Sequence, residues 1–347
     1  MRKIILLLAL GTVGLNAWAA ETVKPPMEVK VVIVATFESG ADTGDKPGEF
    51  QFWVEREKLD QSITVPGVSH PVLTNGKGVL GVVSGTTVRS SNQIMALCLD
   101  PRFDFSKAYW LINGIAGVDP EDASLGSAAW SRFVIDGDIA YEIDSREADL
   151  KWPYAIIPIG AKKPNEIPKN EGWEPDVMSY ELNPALVNRA FALSKDVALV
   201  DTPEMQAYRA TYVGFPNAQK PPFVLIGDSF GSCRYWHGVA LTQWANDWSK
   251  LWTKGQGNFV MSDMEDQGIL TALSSLTKMS RVDVQRVLVL RTGSNYCMPA
   301  PQQGVVNSLQ AEYAGSLPSL ESAYRVGSVV VHDILRNWDA NYAGGVK

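Results

Sequence analysis

The residues best suited to chemistry cluster in 258–300. Ser262-Asp263-Met264-Glu265 forms a polar turn that opens a helical pattern. Arg291, Thr292, Ser294, Asn295 and Tyr296 follow the apolar run Val287 to Leu290. In an α/β chain, polar groups at the carboxyl end of a strand are where ligands are met. Glu265 heads a helix, where the dipole favours its negative charge. Hydrogen-bonding groups on two neighbouring segments suit a small polar ligand. The competing reading is that Glu265 and Asp266 do no more than cap a helix.

Three other places offer weaker chemistry. The loop from Phe37 to Glu49 is rich in Gly and Asp and can turn backbone N–H groups, Gly44 among them, toward an anion or a sugar. It lacks the glycine spacing of a dinucleotide or P-loop site. Thr86, Thr87, Arg89, Ser90 and Ser91 place hydroxyls and one cation at a helix start, either as an anion seat or as plain helix capping. His237, between Trp236 and Gly238, can touch a ligand or serve as a structural histidine. The histidines His70, His237 and His332 stand apart, no Cys or His pair has zinc spacing, and no metal site is expected.

The elements that would position these groups read as α/β. Val29 to Thr36 and Val79 to Val83 are nearly continuous apolar runs, as in strands buried on both faces. Ala108 to Ile112 and Phe223 to Ile226 are further strands. The first of these exits into the small residues 113–117 and the second into Gly227-Asp228-Ser229-Phe230. Val134 to Ile143 alternates like an antiparallel strand. Pro184 to Leu193 reads as a helix with Asn183 as cap and proline in its first turn. The tryptophans at 236, 244, 248 and 252 have helical spacing and read as core. Residues 160–181 are Pro- and charge-rich, a surface excursion. No linker or repeat divides residues 21–347, which are expected to form a single domain: a central mixed, twisted sheet flanked by helices.

Composition narrows the function. The formal net charge is −7, two units more negative once Arg2 and Lys3 are removed. Such a surface disfavours a nucleic-acid backbone or anionic lipid as partner. Met1-Arg2-Lys3, the apolar run Ile4 to Leu10 and Ala17-Trp18-Ala19 read as a cleavable leader over 1–20, which implies a periplasmic or secreted protein. No later segment is long and apolar enough to span a bilayer. The three cysteines make no disulfide framework. Cys98 falls on a buried helical face, and a bridge between Cys233 and Cys297 is left open.

Several segments together carry a resemblance: FESGADTGDKPGEFQFWV, YWLINGIAGVDP, YWHGVALTQWANDWSKLWT, SDMEDQGILTAL and VLVLRTGSNYCMP. Across nearly the whole mature chain they resemble the purine nucleoside permease family. Loop by loop the chain is also similar to the nucleoside phosphorylase and nucleosidase superfamily. Val31 to Glu38 resembles that superfamily's first strand with its acidic exit, which puts Glu38 forward as a catalytic base in a shifted register. Ile112 to Gly117 resembles its Asn-Thr-Gly-x-Ala-Gly turn, and Gly227 to Phe230 its base loop. Met264-Glu265 resembles its Met-Glu pair, and Arg291 to Asn295 its Arg-x-x-Ser-Asp.

The resemblance implies a nucleoside phosphorylase-like fold and a purine nucleoside ligand, with no cofactor and a homo-oligomer left open. Glu265 would grip the ribose hydroxyls beneath an oxocarbenium-like centre. Met264 would pack on the sugar, Phe230 stack on the base, and Asn295 face the purine edge. Asp228, Ser294, Tyr296 and His237 would complete the binding residues. Asn295 is a departure, because an amide cannot protonate a leaving base as an Asp can. Inorganic phosphate, seated by Gly44, Thr86, Thr87, Arg89 and Ser90, is one co-substrate and water the other. A third reading is a nucleoside-binding component of uptake that performs no chemistry.

Overall fold

The computed structural model describes residues 25–169 and 175–346. The leader expected at 1–20 lies outside them.

Its strands used below are β1 (Val31–Ala35), β2 (Val79–Val83), β3 (Tyr109–Val118), β4 (Ala128–Trp130), β5 (Phe133–Asp136), β6 (Asp228–Gly231), β7 (Phe259–Asp263) and β8 (Val287–Tyr296). The helices are α1 (Gln51–Glu57), α2 (Thr87–Leu99), α3 (Pro184–Ser194), α4 (Val239–Trp252), α5 (Asp266–Lys278) and α6 (Ser316–Arg336). All eight strands belong to one mixed, twelve-stranded sheet flanked by helices. Its centre runs β5-β6-β7-β3-β1-β2, with β8 along β3 and β4 along β8. β1 and β8 run parallel to β3, whereas β7 runs antiparallel to it.

The apolar runs became strands because both faces of this sheet are covered. Every residue of β1 and β8 is buried. The tryptophan stripe of α4 packs as expected, with Trp244 and Trp248 almost fully buried. Asn183 caps α3, its side chain accepting from the backbone N–H groups of Ala185 and Leu186.

Three expectations are corrected. The strands foreseen to stop at Ile112 and Leu290 continue to Val118 and Tyr296, because β3 and β8 pair along their whole lengths and turn the supposed loops into ladder. The register slips between Gly293 and Asn295, leaving Ser294 as an extra residue. Such a bulge re-aims side chains near a site. Residues 134–143 do not form one strand. β5 ends at Asp136, where Asp138 turns to accept from Ser232 Oγ and Cys233 N, and Ala140–Glu142 pairs separately with Ile156–Pro158.

Gly268 lets α5 lie against α2. A Cβ there would stand 2.3 Å from the Thr87 carbonyl oxygen. This close crossing brings the start of α2 beside the start of α5, where Thr87 N and Oγ1 both donate to the Met264 carbonyl.

Candidate active site

A cleft of about 270 Å³ opens where β1, β3, β7 and β8 converge. Thr36 and Phe37 enter it from β1, Ile115 to Gly117 from β3, Ser262 to Glu265 from β7, and Ser294 and Asn295 from β8. Glu49, Thr86, Tyr235 and Tyr313 complete the walls. A larger cavity of about 540 Å³ lies between residues 142–156 and the start of α4. Of its acids, Glu142 and Asp144 are already paired with Arg234 and Arg146 and Asp149 accepts from Lys151 N, so the convergent polar groups of the smaller cleft mark the candidate site.

Asp263, not Glu265, caps α5: its Oδ1 accepts from Glu265 N at 3.0 Å and Asp266 N at 2.8 Å. That frees the Glu265 carboxylate to point back into the cleft, where Met264 N donates to its Oε2 at 2.9 Å and Thr36 Oγ1 donates to its Oε1. Arg291, fully buried on β8, lies behind. Its Nε and Nη2 donate to Asp266, while Nη1 stands 2.5 Å from Glu265 Oε1 and 4.0 Å from Glu49 Oε1. Ser229 Oγ lies within hydrogen-bond reach of both Asp263 and Asp266, its one proton serving one of them at a time.

Four buried acids therefore share one guanidinium. Burial raises Glu265 to about 7, with Arg291 opposing it, and raises Asp263 to about 8, with the charge of Asp266 adding to the effect. Glu49 is also raised, chiefly by burial. Burial works against the charge of Arg291, but Asp266, Glu265 and Asp263 outweigh it and hold the guanidinium protonated.

At the other end of the cleft, Ser294 Oγ donates to Asn295 Oδ1 at 2.9 Å. Asn295 Nδ2 donates to the Tyr296 carbonyl at 3.2 Å and to Tyr235 Oη at 3.0 Å. The carbonyl can only accept, so it fixes which way the amide faces. Glu265, Met264, Ser294, Asn295 and Thr86 thus share one cleft.

Other expected site residues lie elsewhere. Glu38 does not reach the cleft: its carboxylate accepts from the N–H groups of Ser39, Gly48, Phe50 and Gln51, closing its loop onto α1. The acid that enters is Glu49, whose oxygens accept from Thr36 N at 2.7 Å and Ile115 N at 2.8 Å. Phe230 is fully buried among Trp236, Trp244 and Phe259, and presents no face to a base. Asp228, raised to about 6 by burial, is spent on the N–H groups of Arg132, Phe133 and Asn258. Tyr296 donates to the Ala218 carbonyl and accepts from Leu125 N. His237 bonds Ser308 at 2.9 Å, away from the cleft walls.

The expected anion residues do not converge either. Gly44 is exposed and donates to Glu55, Ser90 is buried and donates to the Thr87 carbonyl, and Arg89 is exposed and outside the cleft lining. Thr87 is engaged with Met264, as described, and of this group Thr86 alone lines the cleft. Cys233 and Cys297 are free thiols, one exposed and the other buried.

A sequence model described as "Purine nucleoside permease (NUP)" matches residues 28–347. The chain belongs to the purine nucleoside permease family. It is 30% identical over 255 residues to a probable purine nucleoside permease of Schizosaccharomyces pombe, covering 72% of this chain and 73% of that one. It is 28% identical over 305 residues to a purine nucleoside permease of Candida albicans, covering 85% and 74% respectively. Among solved structures, it is similar to futalosine hydrolase of Helicobacter pylori (TM-score 0.52, 13% identity, 88% of this chain and 98% of that chain). It is also similar to the 5′-methylthioadenosine/S-adenosyl homocysteine nucleosidase of Campylobacter jejuni (TM-score 0.51, 12% identity, 89% and 99%). This permease family member therefore has a nucleoside phosphorylase-like fold. Among its described residues no helix is long and apolar enough to cross a membrane.

Proposed function

We propose that the cleft binds a purine nucleoside and that the protein, exported on the leader read at residues 1–20, hydrolyses its N-glycosidic bond. One observation carries the reading: Glu265, at the start of α5, and Asn295, on β8, face the same small cleft. The ribose lies at the Glu265 end against Met264. There the carboxylate accepts from the sugar hydroxyls and stabilises the cationic C1′ that forms as the bond breaks. The base lies at the Asn295 end, beside Tyr235 and Tyr313, whose hydroxyls line the cleft and suit N7 or a 6-oxo group. Inosine and guanosine are the fitting substrates.

Water is favoured over phosphate as the nucleophile. Among the described residues lining the cleft there is no Lys, Arg or His, and Arg291 behind it is already shared by acids. Glu49 is the base for that water. It lines the cleft, backbone N–H groups fix both of its oxygens, and burial lifts it above the ordinary carboxylate value, which makes it a stronger base.

A second reading is favoured by Asn295 itself. An amide in place of an acid suits a protein that binds nucleosides for uptake without cleaving them. Incubating the purified protein with inosine, guanosine and adenosine, with and without phosphate, separates the readings. Free base without phosphate is the expected result. Base only with phosphate would make it a phosphorylase, and tight binding with no base released would make it a carrier.

A further inference from the structure

The amide at 295 leaves the proposed reaction without an obvious donor to the departing base, and a group next to it fills that gap. Tyr235 comes from the loop before α4 and Tyr313 from the loop before α6, and both line the cleft beside Asn295. Their hydroxyls lie 2.7 Å apart, and Tyr235 Oη lies 3.0 Å from Asn295 Nδ2. The amide nitrogen is held toward Tyr235 by its other bond to the Tyr296 carbonyl, so Tyr235 must accept at this contact. Its own proton is therefore not used on Asn295. At the Tyr235–Tyr313 contact either hydroxyl can donate; with Tyr313 as the donor, Tyr235 Oη accepts twice and its own O–H is free for a ligand in the cleft.

We propose that Tyr235 is a catalytic residue whose hydroxyl, aligned by Asn295 and Tyr313, donates a hydrogen bond to the purine ring nitrogen that gains charge as the glycosidic bond breaks. This rests on the nucleosidase reading above. In the step, the C1′–N9 pair of electrons passes to the purine, and water adds to C1′ and gives its proton to Glu49. The base departs as an anion held by the Tyr235 O–H, then takes a proton from solvent. Tyr235 keeps its own proton throughout. Burial, reinforced by Tyr313, pushes its ionisation above the ordinary tyrosine range, so the hydroxyl stays a donor wherever the acids of the cleft function. Tyr235 is 45% exposed and Tyr313 37% exposed, so a phenylalanine at either position is accommodated without disturbing the core.

The test compares Tyr235→Phe with the wild type on inosine and on p-nitrophenyl riboside, whose leaving group needs no donor. Removing one donor to a developing charge lowers kcat by about 10²-fold. The expected result is a fall of about that size on inosine, with the nitrophenyl substrate changed by less than about twofold. Equal slowing of both substrates, or of neither, overturns the role of Tyr235 while leaving the nucleosidase activity of the wild type standing. Wild-type protein that releases no base from any purine nucleoside overturns the reading beneath it, and this assignment with it.

Discussion

Arg291 Nη1 stands 2.5 Å from Glu265 Oε1, yet the hydrogen bonds of that guanidinium go to Asp266. The contact with Glu265 is thus one of charge rather than aligned hydrogen bonding, and lone pairs on the carboxylate stay available to a ligand. Glu265→Gln keeps the shape and removes the charge. A hydrogen bond to a charged group contributes about 1.5–3 kcal/mol, so nucleoside affinity should fall about 10- to 100-fold. Affinity for the free base should hardly move. Calorimetry with inosine and hypoxanthine makes the comparison, and equal losses for both would remove Glu265 from the sugar end.

Arg291 is the counter-charge for the whole acidic cluster. Arg291→Met strands Asp266 and Glu265, and breaking a buried pair from one side costs about 3–5 kcal/mol. Urea denaturation should show a loss of that order, part of which Asp266→Asn restores in the double variant. Arg291→Lys should not rescue, because a lysine cannot supply the forked contact to Asp266. A fully stable Arg291→Met protein would contradict this account.

Glu38 and Glu49 flank one loop and should separate in the laboratory. Glu38→Gln disturbs four backbone contacts and should lower stability by about 1 kcal/mol, as loss of a helix cap does, with kcat unchanged. Glu49→Gln removes the proposed base and should lower kcat about 100-fold or more. Steady-state kinetics beside thermal melts reads both, and the reverse pattern would return the catalytic role to Glu38.

The acids also set how stability follows pH. Glu265 and Asp263 titrate near 7 and 8 when folded, above their ordinary values of 4.5 and 3.8. Between those limits the folded chain binds more protons than the unfolded one. Their contribution is complete below the ordinary range and is lost as pH rises through 7 and 8. The melting temperature of ligand-free protein should therefore fall between about pH 4 and about pH 8. Nucleoside affinity should run the other way and weaken below about 7, where Glu265 takes up its proton. A melting temperature that climbs over that interval would refute the assignment.

The strand cores were legible because apolar runs such as Val31 to Ala35 have one stable place in a covered sheet. Glu265 and Asn295 were legible because each comes soon after an apolar run, although Asn295 lies within β8 itself. The sequence cannot display where a loop returns. Glu38 and Glu49 both lie in an acidic loop, and only the fold shows that the first ties the loop down while the second enters the cleft. Phe230 and Tyr296 failed as ligand contacts for another reason. Strand residues alternate between faces, and these two side chains fell on the packed side. Tyr235 and Tyr313, separated by 78 positions, meet only through tertiary structure.

Gly114 sits where a methyl group would come within 2.3 Å of Glu49 Oε1 and 2.5 Å of Arg291 Nη1. The smallest alteration to that backbone position would wedge an acid away from its cation, from behind, without touching any molecule in the cleft. Anyone reshaping this protein for a new substrate must therefore leave position 114 bare. Variation belongs at the rim, at 37 and 86, where exposed side chains have open solvent to grow into.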